Sequence, residues 1–310
     1  MRFGVVVGAP TRASHLTAVQ RAEDLGYDVV LCSDHLELAG RHASWFTPIP
    51  ALAAAATTTE RVRLGTAVIN QDLRHPAVLA RDAASLDVLS DGRLELGLGA
   101  GWNEPEYDMA GLRFDPIGPR VRRFAEYVQV VKGVLAEPAF SFEGEFFRIR
   151  DMPGEPAPAQ APHPPIMIGG VGPRMLALAA READIVSINM PKSPDPGEAA
   201  LAERVAWVRE STPPGADREL QLPLAGVVPT ARSAEEAVRA AAATGDQFLL
   251  SMLARRFGVE ALADSPMVLA GSTAAMADSL SRLEESFGIG YVMIPMGQLE
   301  ALAPVIEALR

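Results

Sequence analysis

At 310 residues, 48% of them hydrophobic, the chain is long enough to enclose one large core. Its net charge of −11 argues against a grip on nucleic acid, which needs clustered Lys and Arg, and against docking on anionic lipid. The single cysteine, Cys32, excludes an internal disulfide and a thiolate metal cluster.

The opening run Arg2-Phe3-Gly4-Val5-Val6-Val7 reads as a strand rather than a leader peptide. No apolar run reaches the ~18 residues of a membrane span, so a soluble, cytoplasmic protein is expected. Phe3–Val7 is strand one. Leu16, Val19, Ala22 and Leu25 form a helical stripe that Gly26 closes. Asp28–Ser33 is strand two, Pro50–Thr59 an alanine-rich helix, and Val62–Asn70 strand three. Pro76 opens a helix whose buried face carries Leu79, Ala83, Leu86 and Leu89. Ser90-Asp91-Gly92 turns into strand four, Leu94–Gly99. Val121, Phe124, Val128, Val131 and Leu135 then recur at helical spacing.

Between Pro138 and Pro165 the pattern breaks, with a small hairpin over Phe140–Ile149 and a Pro-rich connection over Met152–Pro165. Alternation resumes with strand five (Ile166–Gly169), a helix (Pro173–Glu182), strand six (Ile185–Ile188), a helix (Glu198–Glu210) and strand seven (Leu220–Val228). Helices over Ala234–Thr244 and Thr273–Phe287 flank a less regular stretch, before strand eight (Tyr291–Pro295) and a closing helix lined by Leu299, Leu302, Ile306 and Leu309. Eight such units predict a single-domain (β/α)₈ TIM barrel over residues 1–310, with insertions after strands four and seven. The competing fold is an open doubly wound sheet, but no G-x-G-x-x-G follows strand one.

In such a barrel the working face is built from the loops that follow the strands. After strand two come Ser33-Asp34-His35, an acid and an imidazole able to orient a ligand and move a proton; a helix-capping Asp with a bystander His reads equally well. After strand three, Asn70 either faces a ligand or serves the turn toward Arg74-His75-Pro76. In strand four the leucines alternate with Glu95, Gly97 and Gly99, which therefore point into the barrel. Those glycines make room for a flat ring across the barrel mouth, or else serve tight packing. Gly169-Gly170-Val171-Gly172-Pro173-Arg174 follows strand five and enters a helix, a pattern suited to phosphate and also to an ordinary glycine turn. Cys32 reads as a core residue, His15, His42 and His163 as solvated, and Glu104, Glu106 and Asp108 as a solvated acidic loop.

Several runs carry a resemblance: Glu60–Val68, Arg74–Leu86, Leu89–Arg93, Leu96–Glu104 and Gly288–Val292. On these the chain resembles the luciferase-like monooxygenase superfamily over nearly its whole length. Ser33-Asp34-His35 and Gly170–Arg174 look most like its branch that uses coenzyme F420, an 8-hydroxy-5-deazaflavin. The resemblance implies an oxidoreductase that moves hydride between F420 and a small organic substrate. It implies a non-prolyl cis peptide at Ala67-Val68 behind the deazaflavin, with Asp34, Ala100, Gly101 and Trp102 around the ring, and Asn70 joins them as a candidate cofactor-binding residue. Gly170, Val171, Gly172, Pro173 and Arg174 would hold the cofactor phosphate, and His35 would face the reacting carbon as the catalytic residue. Arg74, Arg113 and Arg174 are the candidates for the acidic tail of F420. The glucose-6-phosphate dehydrogenases of that branch carry a Trp shortly after the His and a Glu after the strand-four glycines. Ala39 and Trp102 stand at those places here, which argues against sugar-phosphate oxidation. The rival readings are an FMN-dependent two-component monooxygenase with a separate cofactor reductase, and a non-catalytic flavin-binding barrel. Family analogy implies a homodimer through the helices that follow strands two and three.

Overall fold

A computed structural model describes residues 1–36, 46–189, 196–230, 233–244 and 247–310. Ala39 and His42 lie outside the described residues. Eight parallel strands close into a barrel: Arg2–Val6, Val29–Cys32, Arg63–Thr66 with Ile69–Asn70, Leu94–Gly99, Ile166–Gly170, Ile185–Ile188, Glu219–Pro223 and Ile289–Pro295. Strand one pairs with strands two and eight, and strand three with strand four, so the sheet has no edge. The helices form the outer layer, and the predicted bounds Leu94–Gly99, Pro173–Glu182, Ile185–Ile188 and Thr273–Phe287 are those observed.

The two faces of each strand separate as period-two geometry demands. Leu94, Leu96 and Leu98 join the outer core with Leu79, Leu86 and Phe124 of the helices. Inside the barrel lie Val29, Leu31, Met167, Ile185 and Tyr291. The floor is polar: Glu95 accepts from Arg2 and, at 2.6 Å, from Arg63, and Arg2 also donates to Glu219 at 2.6 Å. Four of these charges close the N-terminal end of the barrel, the end associated with stability rather than catalysis.

Strand three is one residue too long for its partner. From Gly65 to Ile69 it advances four residues, while strand four advances three, from Glu95 to Leu98. The excess is a bulge, and it falls on the cis peptide Ala67-Val68 that the resemblance implied. This bulge corrects the expectation for the strand-four glycines. A Cβ on Gly97 would lie 1.9 Å from the Thr66 carbonyl oxygen, and one on Gly99 would lie 2.6 Å from Val68 Cγ2. Their room is taken by strand three, not left for a ring.

Other boundaries shift for local reasons. The alanine-rich helix runs Pro48–Ala56, because Thr57 and Thr58 turn their hydroxyls back onto the carbonyls of Ala54 and Ala55. Strand seven ends at Pro223 rather than Val228. Leu224 N–H still donates to Met293 of strand eight, but Ala225 N–H donates to Met267 instead. The chain thus leaves the barrel, and Gly226–Pro229 pairs with Val268–Gly271 in a separate parallel ribbon. The stretch expected to be irregular holds two helices, Phe248–Phe257 and Val259–Ala263, which share a small core with Val238, Leu250 and Leu262. The hairpin after strand four is present as Ala139–Glu143 against Arg148–Pro153.

The glycine contact makes a stability prediction. Gly97→Ala should destabilise the fold by about 1–3 kcal/mol or more, since backbone must move. Gly118→Ala, in the first turn of helix Ile117–Ala136 with nothing within 4 Å, should be neutral or stabilising by about 0.5–1 kcal/mol. Urea unfolding of the two variants checks both signs.

Candidate active site

All eight strands run in one direction, so the loops after strands two, three, four and five share one rim of the barrel. Strand two delivers Asp34, which is buried. One carboxylate oxygen, Oδ2, accepts the Asn70 N–H at 3.2 Å and the Arg74 guanidinium at 2.5 Å. Arg74 was a candidate for a cofactor tail; it instead neutralises Asp34, because a carboxylate 95% removed from water needs a cation. Asn70 serves its turn, its side-chain oxygen accepting from Asp72 N–H at 3.1 Å. Tyr107 donates to Asp72 Oδ2 at 2.7 Å, with Asn70 Oδ1 3.1 Å from the same hydroxyl. Arg123 completes this group by pairing with Asp72 and Asp115 at 2.7 and 2.6 Å.

Strand four leads into Ala100-Gly101-Trp102. Gly101 has φ of 73°, and a Cβ there would lie 1.8 Å from the Tyr107 hydroxyl oxygen, so glycine is required twice over. Arg120 holds its carbonyl at 3.1 Å, and Gln71 donates to the carbonyls of Ala100 and Arg120. The acidic loop expected next is a helix, Glu104–Ala110. Its Glu106 is not solvated: it is 2% exposed and meets His35 Nδ1 at 2.9 Å. An ionised carboxylate can only accept, so His35 donates from Nδ1 and turns Nε2 the other way. Trp102 stands edge-on to the His35 ring, centroids 5.7 Å apart. Glu106 is the candidate site residue that the sequence did not single out. The only signal was its position directly after Pro105, at the start of a helix too short to show a periodicity.

Ala67 and Val68 are half-buried and pack with Val6 and Met293 on the barrel's inner core, forming an apolar floor at the mouth. After strand five, Gly172 caps the ten-residue helix Pro173–Glu182, with Pro173 in its first turn. A Cβ on Gly172 would meet nothing within 4 Å, whereas one on Gly170 would press on Leu176 and Met175 at 3.1–3.2 Å. The turn is thus packed on its inner side and open on its outer side, and Val171 and Arg174 are exposed there.

A family model described as luciferase-like monooxygenase matches residues 1–287. The chain belongs to the luciferase-like monooxygenase family. This luciferase-like chain is 36% identical over 174 residues to an F420-dependent glucose-6-phosphate dehydrogenase of Intrasporangium calvum, a match covering 53% of this chain and 50% of that protein. It is 35% identical over 196 residues to an enzyme of the same name from Nakamurella multipartita, covering 59% and 55%. The chain spans about half the length of the curated relatives it matches. Among solved structures, an F420-dependent secondary alcohol dehydrogenase superposes with a TM-score of 0.80 at 19% identity, covering 100% of this chain and 99% of that one. A monooxygenase from Streptomyces bottropensis gives 0.79 at 22%, covering 99% of each. Both share the fold.

Two further expectations are settled by burial. Cys32 lies in the outer core, and burial pushes its thiol up to about 12, so it is an inert core residue. His15 is buried rather than solvated, because the helix Arg12–Asp24 turns that side chain inward. Its Nε2 donates to Ala51 O at 3.2 Å, Nδ1 has no partner among the described residues, and burial holds its pKa below the ordinary 6.5. The unfolded chain therefore takes up a proton near pH 6.5 that the folded chain refuses, so stability falls as pH drops below 6.5, until the lower folded pKa is passed. Urea unfolding across that window should show a shallower pH dependence for His15→Leu than for the wild-type chain.

Proposed function

We propose that this luciferase-like protein is an oxidoreductase that binds coenzyme F420 and moves hydride between it and a small organic substrate. The observation that carries the reading is the pair His35–Glu106 at the barrel mouth, beside the apolar floor of Ala67 and Val68. The curated relatives named as F420-dependent support the choice of cofactor.

The residues fit such a group. A flat ring finds a half-buried apolar floor at Ala67 and Val68, with Asp34, Asn70, Ala100 and Gly101 around it. A phosphate finds the open side of Gly172 and the start of helix Pro173–Glu182, with Gly170, Val171, Pro173 and Arg174 lining the turn. When bound, F420 supplies a hydride donor or acceptor at C5 of its ring. His35 then delivers a proton from Nε2 to the substrate oxygen as hydride reaches the adjacent carbon, or removes that proton in the opposite direction. Glu106 acts through His35, fixing the ring by accepting from Nδ1. The Arg74 clamp holds the Asp34 carboxylate in one place at the rim.

The homodimer reading draws support from helix Pro76–Leu89. Val78 and Leu89, the latter expected on the buried face but found in solvent at the helix end, lie on one exposed face of it, at 55% and 71%, with Asp82 and Ser85 between them. If that face joins two copies, sedimentation should show a dimer for the wild-type chain and a shift toward monomer for Leu89→Asp.

Titration of the purified protein with F420 and with FMN, followed by ligand fluorescence, tests the cofactor. F420 should bind, and Gly172→Asp should weaken it by placing a carboxylate against the phosphate. Tight FMN binding without F420 binding would sink the proposal in favour of the two-component monooxygenase. His35→Ala should keep cofactor affinity and lose about 10²–10⁴ in turnover. Glu106→Gln should also keep cofactor affinity, with a smaller loss in kcat.

A further inference from the structure

Large apolar side chains on the connections that carry His35 and Glu106 are exposed, and four arginines of the neighbouring connections are paired. Trp102 is 53% exposed while edge-on to the His35 ring. Leu36, the next residue after His35, is 42% exposed, and Met109, one helical turn beyond Glu106, is 63% exposed. Large apolar groups left in water around an acid–base residue mark a surface meant to be covered by a ligand. An indole offers a flat face to a planar partner and costs little conformational entropy when it is covered.

The cations nearby point the same way. Arg74 is spent on Asp34, Arg120 on the Gly101 carbonyl, Arg123 on Asp72 and Asp115, and Arg113 on Asp115. Each of these four already has an oxygen partner, and the exposed Arg174 belongs to the turn proposed for the cofactor phosphate. The carboxylate closest to the reacting group, Glu106, would repel an anion. A phosphorylated or carboxylated substrate would find these four arginines, among the described residues, already engaged.

Resting on the proposed hydride chemistry, we infer that the substrate is an uncharged organic molecule with a planar aromatic or conjugated part. That part lies against Trp102, and a carbonyl or hydroxyl oxygen faces His35. Trp102, which the resemblance assigned to the cofactor ring, becomes the residue that sets substrate class. Such a substrate differs from the sugar phosphate named for the curated relatives.

The test uses the whole purified chain, with F420 at saturation and in its absence, and calorimetry as the readout. The probes are 2-acetylnaphthalene, which is planar and neutral, and glucose 6-phosphate, which is anionic. The expected result is binding of 2-acetylnaphthalene, weakened roughly tenfold in Trp102→Ala, in line with loss of one aromatic contact. Trp102→Phe, which keeps a flat ring, should recover most of that loss, and glucose 6-phosphate should give no heat. Far-ultraviolet circular dichroism confirms that each variant is folded. The inference is overturned if 2-acetylnaphthalene does not bind, if Trp102→Ala binds it as well as the wild type, or if glucose 6-phosphate binds more tightly. Cofactor titration of the same samples keeps the two readings apart. Loss of F420 binding with Trp102-dependent binding of the ketone intact removes the cofactor proposal and leaves this one standing.

Discussion

The contact on which the site depends is the seating of strand three in strand four. Thr66 O lies over Gly97, and Val68 lies over Gly99, each within a distance that no side chain on strand four could tolerate. Because strand four has no side chains there, strand three can carry one extra residue and still pair on both sides of it. That bulge sets Val68 at the mouth and brings Asn70 N–H to Asp34. It also lets the chain after Asn70 bond back, with Gln71 N–H on Gly99 O and the Gln71 amide on Ala100 O. Remove the two glycines and the floor, the Asp34 clamp and the Ala100–Gly101 turn all lose their register together.

The electrostatics of the rim follow from that placement. Three acids of the rim have a partner fixed by a different strand loop: Asp34 with Arg74, Asp72 with Arg123, and Glu106 with His35. Pairs of this kind span the loops after strands two, three and four, so they tie the rim as well as balance charge. Side-chain pairs that join several loops hold geometry tightly, which is what the proposed hydride transfer over a short distance requires.

The barrel was legible in the sequence because its period is repeated eight times, and a wrong boundary in one unit does not disturb the count. Strand four was read to the residue, since Leu94, Leu96 and Leu98 alternate with residues that cannot face a helix layer. The inward direction of Gly97 and Gly99 was also legible, but not what fills the space, because that depends on a bulge in another strand. Strand seven was read too long because Gly226–Pro229 is as apolar as the strand before it. Only the switch of partners from Met293 to Met267 separates the two. Asp34 and His35 stood out by residue type at a strand end. Glu106 did not, because an acid between Glu104 and Asp108 looks like a solvated run, and its burial is a tertiary fact.

The Glu106–His35 pair also bears on whether this barrel is an enzyme or a passive binder. Removing a carboxylate from water costs several kcal/mol, and a buried ion pair seldom returns more than an apolar pair of the same volume would. Glu106 is 3% exposed at the side chain, yet its partner is 22% exposed and sits at the rim. For holding helix Glu104–Ala110 against the barrel, Tyr107 already suffices, buried beneath Gly101 and bonded to Asp72. A second, charged anchor on the adjacent residue adds little to the packing. What it adds is a single orientation for an imidazole that reaches the mouth, and an imidazole held at one nitrogen by a carboxylate is arranged for moving a proton at the other. A barrel that only sequestered a flavin would have no use for that arrangement, so the energetics of this one pair favour catalysis over storage.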